Sequence, residues 1–249
     1  VAIAALALFS CSPESAKSPT FIITNTNAEA LVASSLDMTD FAEDSSDIGS
    51  NFRSAQSNTQ RLASRASESF TFECESGSQT LTYTVDDSLM SADELPANGS
   101  MSIKTQYNNC LDFGLTQNGS IAVDFGWSGY NSADDSFGSV NLGMDFNNYE
   151  MSSSQGSASI DGNMDANITG DDFAISFNYL VSGPDTDGKY IRAKTTSDIK
   201  LNIYDSYPSS GAWRIEGGDD TFIVATIVAN GVEYSVNGGQ TTLVEWYNM

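Results

Sequence analysis

The chain has 249 residues, 33 of them acidic and 10 basic, for a formal net charge of -23. This balance excludes a general nucleic-acid binder, which needs a basic footprint to release counterions from phosphate, and it argues against electrostatic docking of the domain as a whole onto anionic lipid. Histidine is absent, which removes Ser-His-Asp and Cys-His catalysis, His-ligated zinc and the usual general base near neutral pH.

The first segment reads VAIAALALFSCSPES. Residues 1–10 are too short for a membrane-spanning helix, which needs about 20 apolar residues, but have the length of a signal-peptide apolar region. The missing initiator Met and basic leader predict a chain truncated at its start. Leu8, Ser10 and Cys11 resemble the bacterial lipobox, with Phe9 a less usual choice between them. That resemblance implies cleavage before Cys11, lipidation of Cys11 and a membrane partner held through the lipid anchor. An ordinary cleaved signal with an incidental cysteine is the alternative. Ser12 stands where an aspartate would favour inner-membrane retention, so an exported, outer-membrane location in the bacterial envelope is expected. Residues 11–20 are rich in Ser, Pro and Lys and read as a tether.

Residues 21–67 read as a helix and a loop segment. In TNTNAEALVASSL, Thr26 and Glu29 have the spacing of a capping box. Ala28, Leu31, Val32 and Leu36 fall on one helical face, predicting a helix near residues 27–36 that resumes around 38–41. Residues 44–67 are Ser-, Asn-, Gln- and Arg-rich and read as a loop.

From residue 68 to 249 the apolar period becomes two. Phe70, Phe72 and Cys74 alternate with polar residues, as do Leu81, Tyr83 and Val85. An echo follows: GSMSIK at Gly99, GSIAVDF at Gly119, GSVNLGMDF at Gly138 and GSASID at Gly156, spaced by 20, 19 and 18 residues. A period near 20 fits one hairpin, so the echo predicts repeated hairpins. Alternation continues through Phe173–Tyr179, Ile199–Ile203, Val232–Val236 and Val244–Trp246, broken by turn signals such as Asn230-Gly231. The expected fold is all-β: an antiparallel meander of about twelve strands curled into a barrel, half-barrel or sandwich, with a short N-terminal helix as plug or cap. A transmembrane barrel shares the alternation but fits poorly with the lipobox, the charge and the lack of a terminal aromatic.

Several side-chain groups could carry chemistry. Trp127, Trp213 and Trp246 are in phase with the apolar face and read as core rather than as a sugar-stacking platform. The paired aspartates, such as Asp171-Asp172 and Asp219-Asp220, invite calcium, but no stretch carries the full loop pattern, and turn chemistry explains them as well. No metal or other cofactor is expected. With Cys11 assigned to lipid, Cys74 and Cys110 most simply pair in an exported chain, two buried free thiols being the alternative. The bridge would close a loop worth about 3–4 kcal/mol on the chain-entropy model. Lys189, Tyr190, Arg192 and Lys194 form a basic patch in an acidic chain, read either as salt bridges to acidic strands or as an anion or partner contact.

ITNTNAEALVASSL, FECESGSQTLTYTV, YNNCLDFGLTQNGSIAVDF and YPSSGAWRIEGG together resemble an uncharacterised family of secreted proteobacterial lipoproteins. The resemblance implies an all-β exported domain with a Cys74–Cys110 pair and brings no activity with it. DDSLMSADELPANG departs from the family's more Gly- and Asp-rich turn, so no metal role is carried over there. The leading expectation is a non-enzymatic envelope lipoprotein with a binding or structural β domain and an unidentified envelope partner. A carrier of a lipid or other apolar ligand is the first alternative, and a carboxylate-based hydrolase the second.

Overall fold

The computed structural model describes residues 17–44, 67–86, 89, 95–134, 136–154 and 156–248. Cys11, residues 1–10 and most of the 44–67 loop lie outside them. Twelve strands form one antiparallel sheet in strict chain order, each paired with its sequence neighbours. They are β1 (Ser67–Glu73), β2 (Ser76–Val85), β3 (Gly99–Asp112), β4 (Leu115–Ser128), β5 (Ser139–Ser153) and β6 (Gly156–Thr169). The second half comprises β7 (Asp172–Ser182), β8 (Ile191–Asn202), β9 (Ser210–Glu216), β10 (Phe222–Val228), β11 (Gly231–Val236) and β12 (Thr241–Glu245). β1 and β12 end the order at opposite edges and do not pair, so the sheet is not a closed barrel.

The Gly-Ser echo has a different basis from the hairpin expected. β3 to β6 are single strands of 14 or 15 residues, so each repeat is one long strand and its turn. Gly119 is not a turn residue but lies inside β4, where the register with β5 shifts between Asn118 and Ser120. Strands this long stay paired in a twisted sheet because bulges bend them. Further shifts interrupt β2–β3 near Gly77, β3–β4 at Asn108–Asn109 and β5–β6 at Asn147–Asn148. Gly77, Asn109, Gly119 and Asn148 all have positive φ there. Asn118 Oδ1 accepts the Asn109 N–H, and Asp161 Oδ1 accepts that of Asn148, each bond supplied where the ladder breaks.

The helix, α1 (Ala28–Asp44), presents Ala28, Leu31, Val32 and Leu36 to the core, all buried, as the periodicity predicts. The capping box does not form. Asn27 occupies the cap instead: its carbonyl accepts the Leu31 N–H. Its side chain turns back to bond the Thr24 N–H and the Ile22 carbonyl. Thr26 Oγ1 is engaged with Thr24 Oγ1 at 2.9 Å. Asn27 forms a tight local turn that fixes the start one residue later than Thr26 would.

α1 packs on the apolar face of the second half of the sheet. Trp213, Ile215, Ile223 and Val232 there are fully buried, and Trp213 Nε1 donates to Ser35 Oγ at 2.9 Å inside the core. One cluster runs from Leu142 on β5 to Val244 on β12 and includes the α1 residues, so helix and sheet share a single core. Trp127 and Trp213 are buried and Trp246 packs against the cluster, in line with the phase argument. Cys74 and Cys110 form a disulfide between the end of β1 and β3, with Cα atoms 5.4 Å apart.

Candidate functional site

The sheet presents three surfaces. The first is the continuation of the apolar face onto β1–β4. Phe70, Leu81, Tyr83, Ile103, Val123 and Phe125 all point to the same side as the core, yet each is only half-buried. Among the described residues α1 covers the second half of the sheet and leaves this part without a covering element.

The second surface is a groove of about 610 Å³ on the polar face of β2–β6. Its floor includes Gly126 and Gly143, and Asp124 and Asp165 lie opposite Gly143 on either side. Both carboxylates, and Asp145 beside them, are solvent-exposed. Asn163 Nδ2 donates to Asp165 Oδ2 at 2.7 Å. Among the described residues, no three acidic or cysteine side chains converge as a metal-holding group. Asp187, Asp219 and Asp220 adopt positive φ, which assigns them to turn chemistry.

The third surface contains the basic patch. β8 alternates Ile191 and Ala193 into the core with Arg192 and Lys194 on the polar face, and Tyr190, just before the strand, continues the same phase. The register adds a residue that the sequence reading missed: Lys194 lies directly opposite Arg214 of β9. The alternation Trp213–Arg214–Ile215 marks Arg214 as outward-facing, but only the strand pairing shows which neighbour it meets. Arg214 Nε bonds Glu216 Oε1 at 3.0 Å, and its guanidinium sits 3.8 Å from the Phe222 ring centroid. Arg192 Nη1 donates to Asn178 Oδ1 at 3.3 Å, a neutral partner rather than the acidic strand one reading anticipates. Lys189 and Lys194 are exposed, and Lys200 extends the same face further along β8.

The segment before α1 ends on this surface. Lys17 Nζ is 3.0 Å from Glu150 Oε1 and lies 5.3 Å from the Tyr190 ring centroid. The N–H groups of Thr20 and Phe21 both donate to the Tyr190 carbonyl, Thr20 Oγ1 accepts the Tyr190 N–H, and the Phe21 carbonyl accepts the Gly218 N–H. Ser159 Oγ donates to the Tyr190 phenol oxygen at 3.3 Å. That bond, together with the Lys17 ammonium, lowers the Tyr190 pKa below the usual tyrosine value against the opposing effect of burial. Burial pulls the Lys17 pKa down, and its bonds to Glu150 and Tyr190 more than offset this, leaving it raised. Residues 17–21 thus cross the end of the sheet from the polar face to the core, where Ile23 is buried.

No family model, no curated protein and no solved structure matches the chain.

Proposed function

We propose that the protein is a non-enzymatic lipoprotein of the bacterial envelope, carried to the outer membrane and held there by lipidated Cys11. Its β domain, a half-barrel around α1, serves binding or structure rather than catalysis. The supporting observation is the path of residues 17–21, which are bonded at Tyr190 and Gly218 as the end of a tether would be. The absence of histidine leaves only carboxylates for acid–base chemistry, and Asp124 and Asp165 stand in an open groove, exposed to water. Incorporation of radiolabelled palmitate tests the anchor. Label that disappears in Cys11→Ala supports it; no label in the parent, or label that survives the substitution, rejects it.

A second reading, a carrier of a lipid or other apolar ligand, is favoured by the half-buried apolar residues of β1–β4. Apolar surface of this kind is the usual lining of a ligand site, with polar groups only fixing orientation. Native mass spectrometry of the purified protein decides it: a reproducible co-purifying apolar mass supports the carrier, and its reproducible absence rejects it.

A further inference from the structure

From the polar face of β8–β9 we infer that this surface docks on anionic phospholipid headgroups and so fixes the orientation of the tethered domain. This rests on the anchoring reading above.

Seven basic residues lie among the described residues: Lys17, Lys104, Lys189, Arg192, Lys194, Lys200 and Arg214. All but Lys104 belong to β8, to its Arg214 neighbour on β9, or to the segments that meet at Tyr190. Facing them on the same rows are Glu216, already paired with Arg214, and Asp161, which accepts the Asn148 N–H. Lys194 and Arg214 sit side by side across the strands, an arrangement that costs stability unless an anion lies over it. The total charge of -23 does not decide the matter, because charges more than about 8 Å from the contact are screened at physiological ionic strength. What a headgroup layer meets is the local patch.

The tether decides which face meets it. Lys17 is six positions beyond Cys11, a reach of at most about 20 Å even fully extended. The sheet is roughly 50 Å across its twelve strands at the usual strand spacing. A leash shorter than the body it holds keeps the Lys17–Tyr190 corner near the bilayer, and the cationic rows of β8–β9 begin at that corner. The phosphodiester anion is the chemistry that Arg and Lys side chains recognise.

The test uses the full-length lipidated protein on vesicles of phosphatidylcholine alone and of phosphatidylcholine mixed with phosphatidylglycerol. Lysines are acylated with a water-soluble amine reagent and located by mass spectrometry, which also reads the acyl group on Cys11. Docking predicts that Lys194 and Lys200 react about fivefold more slowly on the anionic vesicles and that added salt removes the protection. Lys104, roughly 24 Å away across five strand steps, should react equally on both. Arg192→Gln with Arg214→Gln should abolish the difference at the two lysines. Equal reactivity on both vesicles, with Cys11 acylated, overturns docking and leaves the anchor standing. A Cys11 without an acyl chain overturns both.

Discussion

The Ser35–Trp213 pair shows how single side chains set the terms of this core. Trp213 is fully buried, and its indole N–H has one oxygen to meet, supplied from α1. Ser35→Ala is therefore expected to lose about 1–3 kcal/mol, the cost of stranding a buried donor. Trp213→Phe added to Ser35→Ala should lose less than the two single changes summed, a coupling read by urea denaturation. Buried phenols act through pH. Burial raises the Tyr179 pKa well above its ordinary value of 10.0, and raises those of Tyr107 and Tyr149 in the same direction. The folded state holds these protons more tightly than the unfolded chain. Their contribution is thus complete below about pH 10 and is lost as pH rises through that value. Urea midpoints measured across this range should fall, and Tyr179→Phe should make the fall shallower. At this scale the sequence was informative where one neighbour decides the outcome. The phase of the tryptophans placed them inward, and cysteine parity offered the Cys74–Cys110 pair. It was silent on Ser35, 178 positions from Trp213.

Among elements, the line of bulges through β2–β6 is the feature on which the shape of the sheet turns. Gly119 has φ +85, and a Cβ there would lie 2.1 Å from the Asn148 carbonyl oxygen. Gly119→Ala should therefore destabilise by at least about 1–3 kcal/mol, while the same change at Gly114, whose Cβ would meet nothing within 4 Å, should be milder. Thermal unfolding of the two variants side by side checks this. The period-two pattern made the strands and their antiparallel order readable. It misjudged their length, because a bulge keeps a strand paired while shifting its phase, and the Gly-Ser pair at Gly119 looks the same in sequence as a turn. The helix was readable from Leu31, Val32 and Leu36, but its start was not. Asn27 and Thr26 are both good cap residues, and the choice is made by where the Asn27 side chain finds the Thr24 N–H.

For the whole molecule, charge and core act against each other. One apolar cluster joins α1 to β5–β12, and a net charge of -23 spreads over the surface around it. Self-repulsion of that size opposes the compact state, so raising ionic strength from low salt should raise the melting temperature, as calorimetry can check. The basic patch was partly readable, since Lys189, Arg192 and Lys194 are close in sequence. Arg214 and Lys17 join it only through strand pairing and the path of the chain before α1. That path has a mechanical consequence. Tension on the N-terminal segment enters the sheet through the bonds of Thr20 and Phe21 to Tyr190 and Gly218, between β8 and β10. These strands lie well inside the order, away from the edges β1 and β12. A pull from that side is met by a strand held by neighbours on both flanks, and the edges, which would peel one bond at a time, bear none of the load.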